Sequence, residues 1–197
     1  LSQPANAEIP IWLATLGPNS LEYTGEVADG WAGTSFLPSG ASATIAHVRN
    51  GALKAQRDPD AIQYQAGGAV QFGDDLDQLL VPRRPGVALT LGAMGSPSTN
   101  FYNDAYRRGG FEEEAKLVQR LWVERERDKA IAAVPDELIL QTNFLGTVPE
   151  VTQRVRAYQA AGINVLRVQP EGADTQERLD SLGQIIDIVG GINKETA

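Results

Sequence analysis

Apolar and polar positions follow two different periods along this chain. Near-continuous apolar runs bounded by turn residues predict strands covered on both faces, and apolar positions spaced by three and four predict one face of a helix. The predicted strands are 9–16 (IPIWLATL), 31–36 (WAGTSF), 62–73 (IQYQAGGAVQFG) and the short buried strand 164–170 (NVLRVQP). The predicted helices are 21–28, 41–56, one that begins at 111, 148–162 and 175–189.

Each longer helix carries an apolar stripe that we expect to face the core. The stripes are Ile45, Val48 and Ala52; Phe111, Ala115, Val118 and Trp122; Val151, Val155 and Tyr158; and Leu179, Leu182, Ile185, Ile186 and Val189. Glu112, Glu113 and Glu114 stand where the dipole of a helix favours negative charge, and we expect them to be solvated. Gly67-Gly68 inside the third strand predicts a bulge or a close approach of two backbones.

The segment 74–110 is less regular than the rest of the chain. Its glycines and prolines interrupt every long period: Pro82, Pro85, Gly86, Gly92, Gly95 and Pro97. We predict an irregular insertion of short helices and loops within a single domain, 1–197, and not a second domain. Long irregular segments often line or cover a pocket, and we expect the same here.

Strand and helix alternate four times, with connections too long for hairpins, which predicts a parallel sheet with helices outside it. An eight-stranded βα barrel needs about 250 residues, and an open doubly wound sheet would show a Gly-rich fingerprint after its first strand. The chain has 197 residues and no such fingerprint. The fold class is therefore α/β, and the arithmetic predicts half of a barrel.

Composition removes several classes of function. The net charge of −8 argues against nucleic acid or an anionic membrane as partner, and no apolar run reaches the ~18 residues of a membrane span. Cysteine is absent and His47, which we expect at the surface, is the one histidine, so neither a thiolate nucleophile nor a multi-His metal site is predicted. The default compartment is the cytoplasm. Since the chain lacks an initiator Met, we expect it to begin inside a longer protein.

The turn Gly17-Pro18-Asn19-Ser20 between the first strand and the first helix allows two interpretations. Asn19 followed by Glu22 has the spacing of a capping box, which would serve only helix stability. Alternatively, free amides at the start of the helix, at the carboxyl end of a strand, hold an anion without any cationic side chain. From these residues alone both remain open.

Other candidate residues lie near the same edge. Thr34 and Ser35 end the second predicted strand, where they are either turn residues or ligand contacts. Arg107 and Arg108 could reach an anionic tail, although charges at a helix end are usually solvated. No acid, base or nucleophile with certifiable spacing is visible, and a cofactor that carries the chemistry would explain that combination.

Three stretches resemble a known family. They are WLATLGPNSLEYTGEVADGW (12–31), LGAMGSPSTNFYNDAYRRGGFEEEA (91–115) and AAVPDELILQTNFLGTVPEVTQRVRAYQAAGINVLRVQP (132–170). Together they resemble the C-terminal half of luciferase-like oxidoreductases, most closely the actinobacterial group that uses the deazaflavin coenzyme F420. The resemblance implies a TIM-type (β/α)8 barrel, of which this chain would be strands five to eight with their helices.

The resemblance also implies hydride transfer between coenzyme F420 and a small organic substrate. It places the coenzyme phosphate against the turn after the fifth strand of the barrel, and it makes Thr34 and Ser35 candidate substrate contacts. The implied coenzyme-binding residues are Ala14, Thr15, Leu16, Gly17, Pro18 and Asn19. Sugar-phosphate dehydrogenases of the family carry a Lys after the Thr-Ser pair, where this chain has Phe36-Leu37, so we expect an apolar or uncharged substrate.

Two further expectations follow from the resemblance. The residues that flank the deazaflavin ring belong to the N-terminal half of the family fold, so we name no catalytic residue and no metal ligand. We expect the missing half as partner, inactivity of this piece alone, and an oligomeric state that stays open, a homo-oligomer included. The alternatives are an FMN-dependent luciferase-like monooxygenase and, from another class, a non-catalytic half-barrel that acts as a binding or pairing module.

Overall fold

The protein is an α/β structure built on one parallel sheet. The computed structural model describes residues 9–96 and 98–196, so Pro97 and both chain ends lie outside the described residues. The strands are β1 (Trp12–Leu13), β2 (Gly30–Ala32), β3 (Gln63–Phe72), β4 (Phe144–Gly146) and β5 (Val165–Pro170). The helices are α1 (Pro18–Val27), α2 (Ala41–Lys54), α3 (Leu76–Leu80), α4 (Arg84–Ala93), α5 (Phe101–Arg108), α6 (Glu112–Val123), α7 (Arg127–Ala132), α8 (Asp136–Thr142), α9 (Val148–Ala160) and α10 (Thr175–Thr196).

The long strand β3 organises the sheet. Gln65 pairs with Ala32 of β2 and also with Val165 of β5, so β2 and β5 flank β3 on opposite sides. Val70 pairs with both Phe144 of β4 and Pro170 of β5, which places β4 on the β2 side, beyond the end of β2. All four pairings are parallel, with β1 beyond β2. The predicted parallel α/β sheet is confirmed, while the described residues form an open sheet.

Two hydrophobic clusters support this sheet. The first contains Trp31, Tyr64, Phe144 and Tyr158 and lies between the sheet and its covering helices. The second lies under the insertion and is built from buried residues of β4 and of helices α3 to α8: Leu79, Leu80, Ala88, Leu91, Tyr106, Ala115, Val118, Ala130, Leu138, Ile139 and Leu145. Since neighbouring strand residues point to opposite faces, β4 sends Phe144 into one cluster and Leu145 into the other.

The segment 74–110 is more regular than its glycines and prolines suggested. It contains α3, α4 and α5, because Pro82 and Pro85 stand in the first turns of their helical segments, where the missing N–H costs nothing. Asn100 caps α5, and its Oδ1 accepts from the amides of Tyr102 and Asn103. The buried Asn103 side chain donates to the carbonyls of Leu91 and Ala115. These contacts order the insertion into a helical layer.

Several predicted boundaries and faces are wrong at the margins of the sheet. β1 is two residues long instead of eight, and Ile9 and Ile11 are exposed. β5, predicted to be buried, is half-exposed because the described residues give it a partner on one side alone. On α10, Leu179 and Ile186 are 55 % and 59 % exposed, while Ile185 of the same predicted stripe is buried. Among the described residues, no helix is both long and apolar enough to cross a bilayer.

Helices α1 and α2 touch through glycines. A Cβ on Gly25 would lie 1.8 Å from the carbonyl oxygen of Val48, and a Cβ on Gly51 would lie 1.8 Å from that of Glu22. Backbone atoms cannot move aside as the end of a side chain can. The close approach of these helices therefore depends on both glycines.

We predict that Gly25→Ala lowers the free energy of unfolding by about 3 kcal/mol, as overpacking a tight contact does. The matched control is Gly183→Ala in α10, where nothing lies within 4 Å of the added methyl group. Because alanine is the better helix former, the control should raise stability by about 0.5–1 kcal/mol. Urea unfolding followed by circular dichroism measures both, and equal effects of the two variants would contradict the interpretation.

A second prediction concerns the start of α9. The amide and the hydroxyl of Thr147 both donate to Oε2 of Glu150, at 2.8 and 2.7 Å. These bonds, led by the one from the backbone amide, lower the pKa of Glu150. A lowered pKa in the folded state stabilises the fold above the unfolded-state value of about 4.3, and this contribution is lost as pH falls through the folded-state pKa.

The stability difference between the wild type and Glu150→Gln should therefore be constant from pH 7 to pH 5 and shrink below pH 4. Urea unfolding of both proteins across that range measures it. Because the other carboxylates titrate in both proteins, their effects cancel in the difference. A difference that does not change with pH would show that the charge of Glu150 has no part in the cap.

Candidate functional site

The turn between β1 and α1 lies at the carboxyl edge of the sheet, and its helix begins earlier than expected. Pro18 is the first residue of α1 and Gly17 is the N-cap, with no side chain bonded as a cap. The predicted capping box of Asn19 and Glu22 is wrong, because proline favours the first helical position and moves the N-cap two residues earlier, from Asn19 to Gly17. The Glu22 carboxylate instead contacts Lys54 and, at 3.4 Å, His47, which lies half-exposed on α2.

The start of α1 leaves backbone donors without helical partners. The amide of Leu21 closes the first helical bond, 2.9 Å from the carbonyl oxygen of Gly17. The amides of Asn19 and Ser20 precede that bond, so they have no acceptor within the helix. The Ser20 hydroxyl donates to the Gly17 carbonyl at 2.9 Å and is not used as a cap. Pro18 and Asn19 are exposed, so the positive end of the α1 dipole is accessible from solvent.

Three side chains hold the turn in place. The indole N–H of Trp31 donates to the Thr15 carbonyl at 3.0 Å, and Nη2 of Arg108 donates to the Leu16 carbonyl at 2.8 Å. The Thr15 and Thr24 hydroxyls lie 2.7 Å apart, and Thr24 itself donates to the carbonyl of Ser20. Because a trans peptide points its N–H opposite to its C=O, fixing the carbonyls of Thr15 and Leu16 also fixes the amides that follow them.

Thr34 and Ser35 follow β2 at the same edge. Ser35 has a φ of 52°, a left-handed conformation that is uncommon for a residue with a side chain. Its side chain pairs with the hydroxyl of Tyr106 on α5, whose pKa is raised by burial. Thr34 and Ser35 line a narrow cleft together with Thr15, Leu16 and Arg108. The cleft holds about 20 Å³, which is room for roughly one water molecule.

The structure therefore brings the two predicted groups of site residues together. Thr15 and Leu16 of the first group and Thr34 and Ser35 of the second line one cleft. The cleft is too small for a phosphate, so an anion at this edge would lie over the exposed start of α1. Ala14, Pro18 and Asn19 are exposed there, and Gly17 is half-buried.

Phe36 and Leu37 have a structural role. The Phe36 ring packs 5.9 Å from Trp31 and 5.4 Å from Tyr158, measured between ring centroids, and Leu37 belongs to the cluster under the insertion. Both side chains are buried. Their apolar character follows from the core they fill, so it does not fix the polarity of a substrate.

Sequence reasoning missed the anchors of the turn. Arg108 was a candidate for an anionic tail, but its bond to Leu16 spans 92 positions and no local pattern shows it. Arg107 contacts Asp104 and Glu112 on its own side of the insertion, as expected of a solvated charge. The Trp31 anchor could have been predicted in part from the sequence, because a buried indole N–H usually finds a hydrogen-bond acceptor.

The sequence of this chain is similar to those of known proteins. The profile of the luciferase-like monooxygenase family matches residues 1–164. A protein of Mycobacterium tuberculosis named as a coenzyme F420-dependent oxidoreductase is 28 % identical over 184 residues, which is 92 % of this chain and 53 % of that protein. The 5,10-methylenetetrahydromethanopterin reductase of Methanopyrus kandleri is 25 % identical over 179 residues, covering 90 % of this chain and 50 % of the reductase.

Solved structures show the same fold. The coenzyme F420-dependent tetrahydromethanopterin reductase of Methanopyrus kandleri superposes with a TM-score of 0.69 at 23 % identity, over 90 % of this chain and 50 % of that one. An F420-dependent secondary alcohol dehydrogenase gives a TM-score of 0.58 at 18 % identity, over 93 % and 50 %. The chain thus spans about half the length of these relatives. Since the family profile covers most of its residues, the chain belongs to the luciferase-like monooxygenase family.

Proposed function

We propose that this chain forms part of an oxidoreductase that transfers a hydride between coenzyme F420 and a small organic substrate. The observation that carries the proposal is the uncapped, exposed start of α1 at the carboxyl edge of a parallel sheet. Parallel α/β proteins place their ligands at this edge, and helix starts bind phosphate groups. The relatives named for coenzyme F420 make it the favoured anionic ligand.

The residues present fit the phosphate of such a coenzyme. The amides of Asn19 and Ser20 supply two donors, and the α1 dipole adds positive potential within a chain of net charge −8. Arg108, already bonded to the Leu16 carbonyl, adds a guanidinium beside the turn. When bound, the coenzyme supplies the hydride chemistry, and the chain's own residues bind and orient it.

In this proposal the coenzyme contacts are the turn residues, and Thr34 and Ser35 contact the substrate. The coenzyme contacts are Ala14, Thr15, Leu16, Gly17, Pro18 and Asn19. The remaining wall of the pocket would come from an N-terminal half that covers the free sides of β1 and β5. By itself the 197-residue chain would then be inactive, and a mass above 21.2 kDa for the native protein would support this arrangement.

Two other functions make different predictions. An FMN-dependent monooxygenase of the same family would retain FMN and require oxygen for turnover. It has less support because one relative in sequence is named for F420 and another for methanopterin reduction. A non-catalytic half-barrel would bind phosphate-bearing ligands weakly and transfer no hydride. Titrating F420 and FMN into the native protein, followed by anaerobic turnover with reduced F420, separates all three.

The amide of Asn19 can be tested directly. Asn19→Pro removes one N–H at a position in the first helical turn where proline is tolerated, while Asn19→Ala removes the side chain and keeps the amide. A hydrogen bond to a charged group contributes about 1.5–3 kcal/mol, so we expect the proline variant to bind F420 roughly 10- to 100-fold more weakly. The alanine variant should stay within about twofold of the wild type on the same scale.

Fluorescence titration of F420 measures both dissociation constants, and circular dichroism verifies that α1 still folds. Equal weakening in the two variants would assign the effect to the side chain. No weakening in either would remove the helix start from the site.

The role of Arg108 can be tested with the adjacent Arg107 as a matched control. We expect Arg108→Gln to weaken F420 binding by about fivefold to tenfold, because it releases the Leu16 carbonyl and removes a positive charge near the phosphate. It should also flatten the dependence of affinity on salt. Arg107→Gln removes the same charge one residue away, where the side chain contacts Asp104 and Glu112, and should leave the affinity unchanged. Indistinguishable affinities of the two variants would contradict the assigned role.

A further inference from the structure

A second and larger cleft opens at the same carboxyl edge, where β3 and β5 end against the insertion. It holds about 460 Å³, within the range of roughly 300–1,000 Å³ typical of small-molecule sites. Polar side chains converge on it from three parts of the chain: Gln71, Gln78, Arg83, Gln169, Glu171 and Arg178. None of these residues belongs to the turn that we assign to the coenzyme.

Arg83 organises the inner wall of this cleft. Its guanidinium donates to the Leu79 carbonyl, to Oε1 of Gln71 at 3.0 Å and to the Glu171 carboxylate. The side chain is 12 % exposed, and burial lowers its pKa while Glu171 opposes that shift. Because Arg83 engages the oxygen of Gln71, the amide nitrogen of that side chain is left as its donor end. The wall is therefore fixed before any ligand arrives.

Arg178 stands at the mouth of the cleft on the first turns of α10. Its Nε donates to the Gly172 carbonyl at 3.3 Å. The loop before α10 is itself held, because the Glu171 amide bonds to the Val70 carbonyl and the Ser181 hydroxyl bonds to the Glu171 carbonyl. Gly172 lies so close to α10 that a Cβ there would come within 2.5 Å of the Glu177 side chain. The side chain of Arg178 is exposed, but the backbone beside it is held in place by these contacts.

The charges lining the cleft favour an anion. Two guanidinium groups face one carboxylate, a net charge of +1 within a chain of net charge −8. The nearby carboxylates of Asp174 and Glu177 accept from the backbone amides of Glu177 and Ala173. The planar fork of an arginine matches the two oxygens of a carboxylate in a bidentate pair.

We infer that this cleft binds the carboxylate group of an organic acid, with Arg178 as the contact residue and Arg83 as a positioning residue. That this acid is the substrate of the enzyme rests on the proposed function. Leu13 at the end of β1 is level with Tyr64 of β3, and β3 continues eight residues further to Phe72. The two strand ends are therefore separated by roughly 10 Å across the sheet and by about 26 Å along the strands. An acid that is held here and also reaches the reacting centre beside the coenzyme would have to be elongated.

Acetate and its uncharged isostere acetamide test the inference on the native protein, which also carries the complete coenzyme pocket of the proposed function. The side-chain N–H signals of arginine in ¹H–¹⁵N spectra report binding directly, with ionic strength held constant by chloride. We expect acetate to shift the Arg178 signal along a saturating curve and acetamide to leave it in place. Arg178→Gln should weaken acetate binding, read from the remaining signals of the cleft, by at least fivefold. Arg120→Gln, an equal charge change at an exposed site on α6, should have no effect.

Several results would overturn the inference: a shift that does not saturate, equal shifts with acetate and acetamide, or equal effects of the two variants. An F420 titration on the same samples keeps the two proposals apart. If Arg178→Gln lowers F420 affinity as strongly as acetate affinity, the cleft belongs to the coenzyme and the inference fails. If wild-type protein binds acetate as expected but not F420, the carboxylate site stands and the proposed function fails.

Discussion

The site depends on the hydrogen bond from the Trp31 indole to the carbonyl of Thr15. Trp31 is 1 % exposed and is the largest of the fully buried side chains, so its ring cannot be moved without disturbing the core. Gly33 is held to glycine by the same ring, since a Cβ there would lie 2.5 Å from it. A buried indole N–H must find an acceptor, and here the acceptor is the turn that begins α1. The geometry of the coenzyme turn is thus set by the packing of β2.

The insertion supplies the second half of this support. Gly40 and Gly109 meet backbone to backbone, because a Cβ on Gly40 would lie 2.7 Å from the Cα of Gly109. The Ser39 hydroxyl donates to the Gly109 carbonyl at 2.7 Å. These contacts press the end of α5 against the residues after β2, which brings Arg108 to Leu16 and Tyr106 to Ser35. A helical layer distant in sequence therefore shapes both groups of site residues.

Local patterns in the sequence account for the elements but not for their limits or contacts. The stripes Ala115, Val118 and Val151, Val155, Tyr158 are buried as predicted, because helical periodicity records which face meets the core. The short β1, the exposed Leu179 and the half-exposed β5 depend on what lies beside them, which no window of a few residues contains. The N-cap of α1 was predicted two residues late, at Asn19 instead of Gly17, because the rule for caps was applied without the stronger preference of Pro18 for the first helical position. In the polar cleft, Arg83 and Glu171 are in contact although they lie 88 positions apart in the sequence, so only the fold reveals the cleft.

The three residues of β4 couple the unfolding of the sheet to the unfolding of the helical layer. Phe144 and Leu145, adjacent in the chain, are each fully buried in a different cluster. If the cluster around Phe144 loosens, the adjacent Leu145 is also displaced from its buried position, and the reverse holds for the cluster around Leu145. The sheet and the helical layer should therefore melt in one cooperative transition, and amide protons on both sides of β4 should exchange with solvent at similar, slow rates.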